Sequence, residues 1–271
     1  MQDDRIHPLT RIVLAIVIPF LLLAFLILYF FPDQSGQRFA WAIKPHMTAI
    51  IMGSGYLGGA YQFVFAVFGK RWHRIAGAFA PVTTFTIFMM IATLLHWDRF
   101  DVSHLPFQIW LVLYIITPFL VPFLWWRNRK TDSGKFEDFD AIVPRFARLG
   151  MTGFGLLAAL TCVFLVIAPG SAIPLWPWLL TPLTARVMGG WFALLAVGGM
   201  TIPRDHRWSA WRISMQSILL WAALVLIGAY LNPQDFAQVG VVNPFTVGTT
   251  LSILMMLIFH LWMDSQRKVM E

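Results

Sequence analysis

Apolar and polar residues alternate along this chain in long blocks. Eight mainly apolar stretches, near 12–31, 47–69, 75–96, 106–126, 149–169, 184–202, 211–230 and 245–263, are separated by shorter polar connections. About twenty residues of α-helix rise roughly 30 Å, the thickness of a hydrocarbon core. The pattern therefore predicts an all-α fold, a polytopic transmembrane helical bundle of eight spans that leaves no room for a separate soluble domain. The first span follows Arg5 and Arg11 and ends in Tyr29-Phe-Phe-Pro32 without a small-residue cleavage site, so it is expected to remain as an anchor.

A second regularity lies on top of the spans. Trp41-x-x-x-Pro45 followed by Thr48-Ala-x-x-Met52-Gly53 is echoed by Trp178-x-x-x-Pro182 and Thr184-Ala-x-x-Met188-Gly189. Spans one and five run from Arg11 to Pro32 and from Arg148 to Pro169, and Pro8 and Pro144 precede them. Arg71-Trp-His73-Arg74 and Arg204-Asp-His206-Arg207 both close a span, and Pro106-Phe107 and Pro244-Phe245 both open one. Such matches in one order predict an internal repeat: residues 1–126 and 149–271 as two parallel four-span repeats, joined by a linker over 127–148 that is expected to be flexible or amphipathic. Four spans per copy is an even number, so both copies enter from the same face. The layout resembles duplicated polytopic inner-membrane proteins of bacteria.

Charge distribution orients the bundle. The composition is 58% hydrophobic and 12% charged with a net charge of +7. Counted over alternate connections, one face takes sixteen Lys and Arg residues and the other only Arg38, Lys44, Arg99 and Arg186. The positive-inside rule then places both termini in the cytoplasm, in a multi-pass protein of the cell inner (plasma) membrane. The basic balance is explained by topology and anionic lipid heads, so no nucleic-acid partner is expected. The expected partners are the lipid bilayer and, for a subunit, other membrane chains or further copies of this one.

Small residues crowd spans two and six: Gly55-x-x-x-Gly59 in one, and Gly189-x-x-x-Ala193 with Gly198-Gly199 in the other. Close backbone approach at such faces predicts that these two helices form the centre of the bundle. The expected repeat interface or substrate path accordingly carries Thr48, Gly53, Gly55, Gly59, Thr184, Arg186 and Gly189. Arg186 breaks the symmetry of the repeated motif, and an anion contact and an arginine reaching to the surface both account for it. Thr83, Thr84, Thr86, Tyr114, Gln216, Ser217, Thr249 and Thr250 offer polar groups to a path, or to the helix turn behind them. Pro19, Pro81, Pro118 and Pro122 are expected to bend their spans.

Candidate chemistry is sparse. No carboxylate falls at mid-membrane, which counts against a proton-coupled transporter. His46, His96, Asp98, Asp101 and His104 share the less basic face and are the expected metal ligands if there is a metal, although their spacing matches no known motif. His260 lacks a depth-matched partner for a bis-histidine haem and is expected to be a packing residue. His73 and His206 are accounted for by helix-end and lipid-head contacts, and Cys162 by packing. No catalytic or cofactor-binding residue can be picked out, so the cofactor stays unknown and enzymatic activity is not the favoured expectation. Three readings remain: a carrier or channel for a small or lipid-like solute, a non-catalytic packing or assembly subunit of a larger membrane complex, and a metal-dependent membrane enzyme at the outer face.

Overall fold

The computed structural model describes residues 3–237 and 242–268 and is all-helical; among them β-pairing is limited to three isolated bridges. Eight long helices correspond to the eight predicted spans: α1 Pro8–Phe30, α2 His46–Phe68, α3 Phe79–Leu95, α4 Leu105–Asn128, α5 Arg145–Ile167, α6 Pro182–Thr201, α7 Trp208–Leu231 and α8 Pro244–Lys268. With α3 counted together with the short helix His73–Ala76 before it, all eight are long and apolar enough to cross a membrane, so the protein is a multi-pass membrane protein.

Proline sets many of the boundaries. It sits in the first turn of α1, α4 and α6, where its fixed φ favours the helix and its missing N–H has no partner to lose. Thr181 and Thr184 add a reciprocal capping box to α6. Pro32 and Pro169 follow the ends of α1 and α5. Pro81 departs from expectation. It lies in the first turn of α3, and the preceding short helix His73–Ala76 stops four residues upstream, at Gly77 and Ala78. A proline ring excludes the carbonyl of residue i−4, so here it breaks the span near its end instead of bending its middle. Pro19, Pro118 and Pro122 do lie inside helices.

The centre belongs to α2 and α6. In their apolar stretches 67% and 61% of residues are buried within the protein, against 11% for α1 and α8. Each central helix packs against one helix of its own half, α1 on α2 and α5 on α6, and one of the other half, α7 on α2 and α3 on α6. The outer helices α4 and α8 lean on α3 and α7.

Glycine makes these contacts close. A methyl group on Gly53 would meet Leu28 of α1 at 3.2 Å, and one on Gly189 would meet Leu165 of α5 at 3.5 Å and Val166 at 2.6 Å. Gly155 and Gly199 bring the α5 and α6 backbones together so closely that a methyl on Gly199 would lie 2.6 Å from the Gly155 Cα. Gly55 is different, because it faces the other half, where the Trp191 ring occupies the space a side chain would need.

Aromatic rings fill the half of the bundle away from the arginine-rich end. Trp191 packs against Phe85, Tyr56 and Trp221 at ring-centre distances of 4.3, 5.4 and 5.1 Å. Trp110 continues the cluster to Tyr114 and Trp41. The only polar contact between two tyrosines here is the buried hydroxyl pair of Tyr56 and Tyr114, 3.1 Å apart, among the described residues.

Candidate functional site

The arginine-rich end is built on two similar backbone contacts. Arg5 bridges to Arg71 and Ile142 to Arg207. Trp72 N–H donates to the Asp4 carbonyl at 2.7 Å, and Trp208 N–H to the Ala141 carbonyl at 2.9 Å. Trp72 and Trp208 thus make the same kind of backbone contact, and these contacts align Arg71-Trp72 with Arg207-Trp208. The Arg-x-His-Arg match is three residues out of step with that alignment.

The next residues are His73 and Ser209. Asp4 Oδ1 accepts from His73 N–H, and Asp140 Oδ1 from Ser209 N–H, both at 3.0 Å. The second oxygen of Asp4 faces His73 Nδ1, while that of Asp140 accepts from the Ser209 hydroxyl. His73 Nε2 lies 2.9 Å from Ser209 Oγ and 3.1 Å from Glu137 Oε1, so the two positions touch each other.

Around this pair the linker closes a charged network. Arg74 holds Glu137 through two hydrogen bonds of 2.6 and 2.5 Å, with Arg71 and Arg267 at 3.7 and 3.6 Å. Arg207 is clasped by both oxygens of Asp132 and by Asp205. Burial works against the charged form of Glu137, but hydrogen bonds and charge from His73 and Arg74 hold its carboxyl well below the usual range. Asp132 is likewise depressed despite burial, by Arg207, and Arg207 is raised by its two carboxylates despite burial. The 127–148 segment is thus an ordered belt instead of a flexible tether, with Glu137, Asp140 and Val143 buried. Its acids are counter-ions for residues some sixty positions away.

Among the described residues, Asp4, His73 and Asp132 form the one group with spacing suited to a cation. Its donors are already engaged, and the Arg207 guanidinium lies against Asp132. These residues form an ion-paired clamp and fit a cation poorly.

Beside the clamp opens a vestibule of about 610 Å³ between the ends of α3, α6 and α7, bordered by His73, Arg204, His206 and Arg207. Its lining also takes in Ala80 of α3, Trp125 of α4, Phe136 of the linker, Thr201 of α6 and Ala210 of α7. One turn beyond Ala210 is Ser214, whose hydroxyl is buried without a partner. At the same level on α2 is Gln62, 4% exposed, with neither amide oxygen nor nitrogen partnered. Gln62 lies one turn past Gly58, which meets Ser217 of α7, and two turns past Gly55, which meets Trp191 of α6. Burying an amide with neither end paired costs several kcal/mol.

The residues expected to line a path are dispersed. Gly53 and Gly59 face α1, at Leu28 and Leu21, and Gly189 faces α5, whereas Gly55 meets α6. Thr48 accepts a hydrogen bond from Trp178 Nε1 at 3.0 Å, and Thr184 serves the cap of its own helix. Arg186 donates to His96 Nε2 at 2.8 Å, and burial together with that guanidinium lowers the His96 pKa. Thr83, Thr84, Thr86, Thr249 and Thr250 bond back to their own helices. Gln216 links Tyr61 to His260, and Ser217 donates to the Gly58 carbonyl.

The five expected metal ligands each have a separate engagement. His46 contacts Asp33 and Asn232, and His96 contacts Arg186. Asp98 pairs with Arg99, Asp101 with Ser103, and His104 with the Phe39 carbonyl. None of these partners recurs. Sequence reasoning missed Gln62, Ser214 and the Asp4–Glu137–Asp140 counter-ions; the recurring Arg-Trp dipeptide was the available pointer to the latter.

Comparison with family models, curated proteins and solved structures finds no match to this chain.

Proposed function

We propose that the protein is a duplicated carrier for a small polar solute, with its path along the shared axis of α2, α3, α6 and α7. Duplication is supported by contacts that recur at a nearly constant offset. Gly53 on Leu28 and Gly189 on Leu165 are one such pair, and the two backbone bridges are another. Gly55 touches Trp191 and His73 touches Ser209, each pair 136 residues apart. Residues related by a two-fold axis meet their own mates only on that axis, so these contacts support an axis running along the bundle.

The observation that carries the carrier reading is the pair of unpartnered groups on Gln62 and Ser214, with Ser214 one turn beyond the vestibule-lining Ala210. Together they present donors and acceptors at one level, roughly 9 Å inside the helix ends at 1.5 Å per residue. A solute that donates and accepts hydrogen bonds would satisfy both. Above it, Trp191 and its aromatic neighbours close the route, as expected for a carrier open toward one side. The basic end is assigned to the cytoplasm of an inner-membrane protein on the sixteen-to-four charge bias.

Thiol accessibility tests this without knowing the solute. In a Cys162→Ala background, Ser214→Cys is expected to react with a charged, membrane-impermeant thiol reagent from the basic side of sealed proteoliposomes and to be silent from the other. Silence from both sides in folded protein would make the position a sealed core and end the carrier reading.

A further inference from the structure

On the flank of α5 and α6, outside the vestibule axis, lies a groove of about 440 Å³ at the basic end. Three arginines rim it, Arg145, Arg148 and Arg204, with Leu149, Leu156 and Met200 below. We infer that this groove binds an anionic phospholipid, its phosphate held by Arg148 and Arg204 and an acyl chain lying along Leu149 and Leu156.

Charge is the first support. Arg74, Arg207, Arg212 and Arg267 around the clamp each have a carboxylate, but among the described residues Arg145, Arg148 and Arg204 have none. Arg148 gives Nη1 to His206 and its Nε is buried with no partner, so like-signed or neutral groups surround a cation that keeps an unspent donor. Guanidinium groups at an apolar boundary match a phosphate in charge and fork geometry.

The first half supplies the contrast. Arg11 opens α1 as Arg148 opens α5, but it donates to the carbonyls of Val67 and Gly69 at 3.0 and 2.7 Å and to Ile6 at 3.4 Å. Those carbonyls engage all three nitrogens of the guanidinium. At Arg148 the neighbouring Pro203-Arg204 turn brings a further cation to the groove. Leu149 and Leu156 are 60% and 54% exposed and spaced two turns apart, so they continue the groove into the membrane from the guanidinium level.

The test uses the full chain in mild detergent, with phosphatidylglycerol, phosphatidylcholine and inorganic phosphate as probes read by native mass spectrometry and thermal shift. Phosphatidylglycerol is expected to stay bound and to raise the unfolding midpoint, whereas phosphatidylcholine and inorganic phosphate are not. Arg148→Gln with Arg204→Gln should weaken phosphatidylglycerol binding about tenfold or more, the loss of at least one charge-assisted bond. The exposed Arg145→Gln, which tests the site if the double variant does not fold, should weaken it about threefold by charge alone. Unchanged binding in these variants, equal retention of phosphatidylcholine, or the same shift with inorganic phosphate alone would overturn the assignment. The site does not depend on the carrier reading.

Discussion

The N-terminal and C-terminal parts of the molecule make like backbone contacts at the basic end and differ in the side chains they place there. Both place a buried tryptophan, Trp72 or Trp208, on a strand-like contact with the segment before their first helix. Both then use an aspartate, Asp4 or Asp140, to hold the next backbone N–H. Beyond that they diverge. The first half puts an imidazole and an Arg11 bound to three carbonyls at these positions, and the second puts a hydroxyl and an Arg148 with an unpartnered Nε. The lesson is that agreement between the halves marks what holds the fold, and disagreement marks where chemistry is free to act.

Substitutions can break this comparison in order of effect. Glu137→Gln removes the buried carboxylate that pairs the half-exposed Arg74 and shares His73 with Asp4, and is expected to cost about 2–4 kcal/mol. Thermal unfolding in detergent across pH would check it. Glu137 and Asp132 both have carboxyls depressed in the folded protein. Their contribution is therefore complete above the ordinary carboxylate range, about pH 4 to 5, and is lost as pH falls through the lower folded values. The wild type should lose midpoint temperature on acidification, and Glu137→Gln should flatten that slope; a slope unchanged by the substitution would show that the network does not hold the halves.

A smaller effect separates the α5–α6 joint from the α1–α2 joint. Gly199→Ala drives a methyl into the backbone of Gly155 and should cost about 1–3 kcal/mol by overpacking. At Gly59→Ala the nearest atom is 3.6 Å away, on Leu21, so the change should be neutral or slightly favourable through helix propensity. Denaturation of the two variants side by side would reverse this reading if Gly59→Ala proved the more harmful.

The least effect is expected at the arginines themselves. Arg11→Gln loses charge-assisted bonds to helix-end carbonyls and should destabilise by about 1–2 kcal/mol, whereas Arg148→Gln in delipidated protein should stay within about 0.5 kcal/mol. Equal losses would mean that both arginines are structural. Added phosphatidylglycerol should widen the gap between wild type and Arg148→Gln, and leave that between wild type and Arg11→Gln as it was.

The spans were legible because a bilayer filters by length and apolarity alone, and because proline marks helix starts and stops within a residue or two. The centrality of α2 and α6 followed from their glycines for the same local reason. Glu137 was not legible as a counter-ion. Acids among bases in a linker look alike whether they are solvated or paired, and the pairing of Glu137 with Arg74 spans 63 positions. Nor could spacing reveal that Gln62 and Ser214 share a level, since that depends on α2 and α7 running antiparallel in one register, fixed by Ser217 on the Gly58 carbonyl.

By itself, the sequence determined that this chain crosses a membrane as eight helices, with its basic connections gathered at one end: hydropathy and charge act residue by residue, with no need for a partner. Only the tertiary structure decided which charges are spent and which remain open. Arg11 and Arg148 stand in the same kind of place in the sequence, yet one gives all three nitrogens to carbonyls and the other keeps an unpartnered Nε. Ion pairing is a property of what packing brings within 3 or 4 Å, and here it brings Arg148 against His206, far along the chain, and no carboxylate among the described residues.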